Sequence, residues 1–275
     1  RTAWAAAVHR ASHQVLEQGR LFEDPLAVAM LGPDADLAIA NAREHPASRR
    51  MRMFIAARSR FAEDALETAI EGGVTQAVIL GAGLDTYAYR GRLRHRVRIF
   101  EVDHPATQAW KRQRLEESAI AIPEALTFAP VDFERQTLSQ ELGAAGFAPG
   151  EPAFFVWLGV IPYLTQEAIF STLRYVAHHP AGAHIVFDYG DPPASLPDAA
   201  RERHELRARR VAELGEPWLT YFTPPLLFSH LTELGFTEIE DLNPRDIAAR
   251  YFPSRMDALP EQGGHLVHAT TQRNR

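Results

Sequence analysis

The sequence predicts an α/β fold on a mostly parallel sheet, and three observations carry the prediction. Five short apolar runs, the first at Gln76 and the last ending near Asp188, alternate with segments of helical spacing, as strands joined by helical crossovers do. The first three runs each close on glycines or an acid: Gly81, Gly83 and Asp85, then Asp103, then Asp132. The fourth, AFFVWLG from Ala153 to Gly159, is apolar throughout, as a strand covered on both faces must be.

In chain order, Trp4 to Gln18 has helical spacing and stops at Gly19, a C-terminal cap. The turn Phe22-Glu23-Asp24-Pro25 leads to a shorter helix, Leu26 to Leu31, broken by Gly32-Pro33, and a polar connection runs through Pro46. Arg49 to Ile70 is strongly helical, with Phe54, Phe61, Leu66 and Ile70 on one side and Gly72-Gly73 as the stop. Its arginines 49, 50, 52, 58 and 60, with Glu63 and Glu67, read as a solvated face with room for one inward arginine. These pieces, residues 1–73, are expected to cover the crevice of the sheet.

Arginines 90, 92, 94, 96 and 98 read as a basic loop between the first two strands. Pro105 opens a helix to Ser118, since a proline at the first helical position forgoes no hydrogen bond; Glu134 to Ala145 is the next helix, and Thr165 caps one through Val176. Ala183 to Asp188 is the fifth strand. Three prolines between Asp191 and Pro197 then break the rhythm, and Asp198 to Leu214 is a charged helix with a thin apolar stripe, more like a cover than a core element. Residues 191–227 are accordingly read as an inserted lid. A helix from Thr223 to Leu234 and strands at Phe236 to Leu242 and His265 to Thr271 complete one expected domain spanning 1–275.

Composition narrows the function classes. Net charge is −6 and 46% of residues are hydrophobic, so a core is affordable and a broad nucleic-acid or anionic-membrane surface is not expected. There is no cysteine, which removes disulfides, thiolate metal sites and cysteine nucleophiles together. No apolar run approaches the ~20 residues of a spanning helix, and Thr2 to Val8 is too short for a signal sequence, so a soluble, cytoplasmic protein is expected. The chain begins at Arg1 rather than methionine, which leaves upstream residues open. Lys111 stands alone among twenty-eight arginines, the mark of a GC-rich genome.

The chemistry concentrates at Gln76 to Thr86, QAVILGAGLDT. Gly81 and Gly83 let backbone approach a ligand closely, and Asp85 adds a carboxylate at the same lip. Asp103 lies twenty residues after Gly83 at the end of the next strand, where an acid commonly binds a ribose diol. Asp132 and Phe133 end the third strand and suit an adenine amino group and ring face. The dinucleotide fingerprint wants a third glycine where Thr86 stands, and three acids are a poor frame for a pyrophosphate. They suit S-adenosylmethionine (SAM), which has no phosphate and carries a positive sulfonium.

Several blocks then form a pattern: RSRFAEDAL (58–66), VILGAGLDTYAYR (78–90), FEVDHPATQAWKR (100–112), PVDFERQTL (130–138) and WLGVIPYLT (157–165). Together they resemble the leucine carboxyl methyltransferase family, including its bacterial SAM-dependent members. The resemblance implies a Rossmann-like class I methyltransferase fold, a seven-stranded sheet with helices on both faces and the last strand antiparallel, and SAM as methyl donor. By the same resemblance Arg58 would hold the methionine carboxylate, Gly81 and Gly83 would pass under the methionine and ribose, Asp103 would bind the ribose, and Asp132 with Phe133 the adenine. Two positions depart from the pattern: Tyr87 replaces an arginine common in bacterial relatives, and Leu158 replaces the glutamate of the fourth-strand motif.

The family's acceptors range from a protein's C-terminal carboxylate to small natural products, and the sequence leaves both open. An O-methyltransferase acting on a small-molecule carboxylate or hydroxyl is the leading expectation, with an NAD-type oxidoreductase and a non-catalytic SAM-binding regulator as alternatives. Trp157, Tyr163 and Tyr189 at strand ends, with Trp218, Tyr221 and Phe222 after the charged helix, are the candidates to line the acceptor site, or else core aromatics. His104, Tyr163 and Tyr189 are the candidate proton acceptors, His104 reading equally as a helix cap. No metal site is expected.

Overall fold

In a computed structural model, which describes residues 2–45, 48–132, 136–252 and 262–272, the apolar runs become strands. These are β1 (Gln76–Leu80), β2 (Arg98–Asp103), β3 (Leu126–Pro130), β4 (Ala153–Trp157), β5 (Ala183–Gly190), β6 (Glu238–Leu242) and β7 (Gly264–Thr270). Every residue of β1 and β4 is buried, as unbroken apolar strands require. The seven strands form the mostly parallel α/β sheet that the alternation predicts.

The chain divides into two compact units, residues 1–148 and 149–275. In the first, β2 lies between β1 and β3, all parallel, with Leu80 beside Val102 and Val102 beside Ala129. Its helices are α1 (Thr2–Leu16), α2 (Ala35–Glu44), α3 (Arg49–Glu71), α4 (Tyr87–Arg90), α5 (Pro105–Glu117) and α6 (Leu138–Ala144). In the second unit β4 and β5 are parallel, and β7 runs antiparallel to both β5 and β6. The helices here are α7 (Gln166–Ala177), α8 (Asp198–Glu213), α9 (Pro224–Leu234) and α10 (Pro244–Tyr251).

The structure corrects four local expectations. Leu26 to Leu31 is not a helix; a 3-10 segment, Ala29–Asp34, takes its place, kinked where Gly32 has φ +62°. The polar connection after it is α2, which packs on α1 and buries Ala35 and Ile39, a stripe too thin to show as periodicity. The helix expected from Glu134 begins at Leu138, where the Thr137 side chain accepts from the Gln140 amide; Glu134 itself lies outside the described residues. Helix α10 was not expected, although Asn243 and Asp246 form a reciprocal capping box, a signal present in the sequence.

Candidate functional site

The turn after β1 is where the first unit's chemistry gathers. Gly81 and Gly83 have φ of +65° and +46°, the left-handed region that a side chain penalises. A β-carbon on Gly83 would also come within 3.0 Å of the Ala3 β-carbon on α1. Because β1 and β2 are parallel neighbours, the turn falls beside the end of β2. There the Gly83 amide donates to Asp103 Oδ2 at 2.6 Å, and the His104 amide donates to Oδ1 at 2.7 Å. Each Asp103 oxygen therefore has one backbone donor and a remaining lone pair, which fixes the carboxylate while leaving it able to accept from a diol.

The other predicted cofactor residues are placed as follows. The Val131 amide donates to the Asp103 carbonyl at 2.9 Å, which sets half-buried Asp132 next to the end of β2. Asp85 accepts from the Tyr87 amide at 2.8 Å and stands 3.5 Å from Arg10 Nη1. Arg58 is half-buried on α3, and Phe133 lies outside the described residues. His104 is exposed and caps α5, its Nδ1 accepting from the Ala106 amide at 3.1 Å.

Sequence reasoning missed the charges behind this turn. Asp24 is fully buried, accepts from Thr86 Oγ1 at 2.8 Å, and lies 3.0 Å from Arg90 Nε and 3.5 Å from Arg10 Nε. Arg90 also makes a two-pronged pair with Glu63, at 2.6 and 2.9 Å. Arg90 thus belongs to no basic loop and Glu63 to no solvated face. On α3 the inward arginine is Arg52, 4% exposed and bidentate to Glu17 at 2.7 Å. Under β2, Lys111 Nζ is 2.6 Å from Glu101 Oε2 with both side chains 1% exposed; burial drives the Glu101 carboxyl upward and the lysine opposes it.

In the second unit the aromatic candidates collect at the carboxyl ends of β4 and β5. The amides of Leu219 and Thr220 donate to the Pro162 carbonyl, and Thr220 Oγ1 to that of Leu164, joining the segment after α8 to the turn bearing Tyr163. The Phe222 amide donates to Gly190 at the end of β5 at 3.1 Å. Trp157, Tyr189 and Phe222 are buried, while Tyr163, Trp218 and Tyr221 keep partial exposure. Tyr189 donates to Asp241 Oδ2 at 2.6 Å, and burial and the neighbouring carboxylate push its phenol pKa up. Helix α8 contributes His204, 2.9 Å from the Tyr221 hydroxyl and tilted against Trp218 with ring centroids 5.0 Å apart. Among the described residues no His, Asp or Glu group is arranged to hold a metal, and no helix is long and apolar enough to cross a membrane.

Two details decide between cofactors. The Gly83 amide, which a pyrophosphate would need, is already given to Asp103, and the Asp85 carboxylate stands at the same turn. Comparison with known proteins agrees. Residues 3–177 match the sequence profile of leucine carboxyl methyltransferase. The chain belongs to that family. It is 36% identical to a candidate SAM-dependent methyltransferase of Bacillus subtilis over 78% of this chain and 71% of the relative. A counterpart in Frankia alni is 36% identical over 97% and 94%. The fold is shared with a candidate methyltransferase of Thermobifida fusca, at 18% identity, 96% and 94% coverage and a TM-score of 0.62. The protein is a SAM-dependent methyltransferase, and the oxidoreductase and non-catalytic alternatives both give way.

Proposed function

We propose that this family member is an O-methyltransferase acting on the carboxylate or hydroxyl of a small molecule. The observation that carries the reading is the aromatic shelf of Tyr163, Trp218 and Tyr221, stitched to the ends of β4 and β5 yet left partly open. Rings so held supply an apolar bed for a small acceptor. Buried Trp157, Tyr189 and Phe222 would set the floor of that bed. A protein's C-terminal carboxylate remains the rival acceptor that the family name suggests.

When bound, SAM supplies an electrophilic methyl group on a sulfonium. The chain's own part is to orient and to exclude water, which suffices for an in-line displacement. Asp103 would hold the ribose through its two pre-oriented oxygens, Asp132 with Phe133 the adenine, and Arg58 the methionine carboxylate. Gly81 and Gly83 would give the backbone close approach, and Asp85 would complement the positive charge. A carboxylate acceptor needs no base. For a hydroxyl acceptor, His204 beside Tyr221 is the group available: burial lowers its pKa, which keeps the imidazole neutral and able to take a proton.

The test is a turnover screen of fractionated small-molecule extracts with SAM, read by mass spectrometry, beside peptides ending in leucine. Methyl esters or ethers of small molecules are expected. Methylation confined to the peptides would overturn the proposal. Among recovered acceptors, His204→Ala should abolish ether formation and spare ester formation; equal loss of both would remove the base assignment.

A further inference from the structure

Helix α1 and the turn after it meet the loop at each residue from Gly83 to Thr86. Ala3 packs over Gly83, closely enough that a methyl there would collide. Seven residues later, and so two turns along the same helix face, Arg10 donates to the Leu84 carbonyl and stands 3.5 Å from the Asp85 carboxylate. Gln14, one more turn on, grips the following turn twice: its amide donates to the Phe22 carbonyl at 2.9 Å, and its carbonyl oxygen accepts from the Asp24 amide at 2.9 Å. That grip presents Asp24 to Thr86, whose hydroxyl donates to it at 2.8 Å.

Electrostatics make this arrangement hard to replace. Asp24 has no exposure at all, and a carboxylate in that position is tolerable only with cations and donors around it. Arg10 and Arg90 approach its two oxygens from either side. Arg90 in turn donates to Thr86 Oγ1 at 2.9 Å, so the threonine is held as donor and acceptor together. Residues 84, 85 and 86 each have a polar partner supplied by Arg10 or Asp24, from 62 to 75 positions away in sequence.

We infer that Arg10 and Asp24 are positioning residues of the cofactor site, holding the 83–86 loop in the shape that receives SAM, so that cofactor affinity is set in part by the N-terminal segment. Left-handed glycines just before the loop and at its start, Gly81 and Gly83, give it wide freedom when unsupported. Without the clamp, binding must first order the loop, and the ordering cost appears as lost affinity. The inference rests on the cofactor and not on the acceptor proposed above, so it stands or falls separately.

The experiment is calorimetric titration of Arg10→Lys and Asp24→Asn with S-adenosylhomocysteine, the demethylated product, under conditions where circular dichroism shows each variant folded. Lysine keeps the charge but lacks the guanidinium fork; asparagine keeps the shape but lacks the charge. Affinity is expected to fall at least tenfold in each, with KM for SAM rising and kcat changing less. A folded variant of either residue with affinity within twofold of the parent overturns the inference. Hydrogen exchange on the unaltered protein reads the same coupling without a variant. Product binding should slow exchange in peptides covering residues 10–27 as well as 82–87, because a coupling between sites is reciprocal. Slowing confined to 82–87 overturns it equally.

Discussion

Each unit contains a buried charge cluster of the same plan and opposite sign. In the first, the anion Asp24 lies between two arginines, with Glu63 extending the chain beyond Arg90. In the second, the cation His265 lies between two aspartates, its Nε2 3.1 Å from Asp191 and its Nδ1 2.9 Å from Asp241, with Tyr189 extending the chain beyond Asp241. The difference is in what carries the positive charge. Arginine keeps its proton throughout the working range of a protein, whereas histidine holds one only while its neighbours favour it. Hydrogen bonds and charge from the two aspartates outweigh burial and push His265 up to about 9. The support of the 83–86 loop is therefore fixed in charge on its cationic side, and the support at Asp191, just after β5, is conditional on pH.

The largest effect should come from breaking the fixed cluster. Arg90→Ala leaves Asp24 and Glu63 facing each other in the interior without the cation between them, and removing one partner from a buried pair typically costs ~3–5 kcal/mol. Urea unfolding should show a loss of that size. A loss below about 1 kcal/mol would mean that water or rearrangement replaces the arginine, and the contrast between the clusters would lose its basis.

His265→Gln should cost somewhat less and should depend on pH. The folded pKa is raised from 6.5 to about 9, so the contribution is present in full below about 6.5 and disappears as pH rises through about 9. At one unit per ~1.4 kcal/mol, and discounting for the strong coupling among four groups, the gap between parent and variant at low pH is on the order of 2–3 kcal/mol. Unfolding midpoints measured from about pH 6 to about pH 10 should converge at the alkaline end. A gap that stays constant would assign the titration to another group.

These two clusters also mark where sequence reading stops. Asp103 was legible because a strand and the acid that ends it are adjacent in the chain, and apolar β1 and β4 announced burial on both faces. The pair Asp24 and Thr86 is separated by 62 residues, and Arg10 and Leu84 by 74, so nothing local distinguishes these charges from surface ones. Arg90 opened an alternating arginine series and was read with it; only packing shows that it is 11% exposed while Arg92 of the same series is 65% exposed. The aromatic candidates were legible as a set, but which of them are buried and which remain open depended on the backbone bonds from Leu219, Thr220 and Phe222.

Asp103→Ala probes the first unit without touching its cluster. The substitution removes a carboxylate that two amides orient, and a charge-assisted hydrogen bond to a ligand hydroxyl contributes ~1.5–3 kcal/mol. Affinity for SAM and for its demethylated product should fall alike, by roughly tenfold to a hundredfold and more. Adenosine, which carries the same ribose, should lose affinity with them, whereas Arg58→Ala should weaken only ligands with the methionine carboxylate. Equal loss for adenosine and SAM in the Arg58 variant would reject that residue's assignment.

The smallest effect on cofactor binding is expected from the most conspicuous change to the second unit, deletion of Asp198 to Leu214. No residue of α8 is buried, so its removal exposes little apolar surface and leaves no cavity. What it does hold is the shelf: His204 bonds Tyr221 and lies against Trp218. If division of labour between the units is as the two clusters suggest, SAM affinity should stay within about tenfold, a change of at most ~1.4 kcal/mol, while turnover of a small acceptor is lost. Titration with the demethylated product, together with a rate measurement on an acceptor from the extract screen, separates the two quantities. A folded deletion variant that methylates at the parental rate would show that α8 is no cover, and the argument for an enclosed small acceptor would go with it.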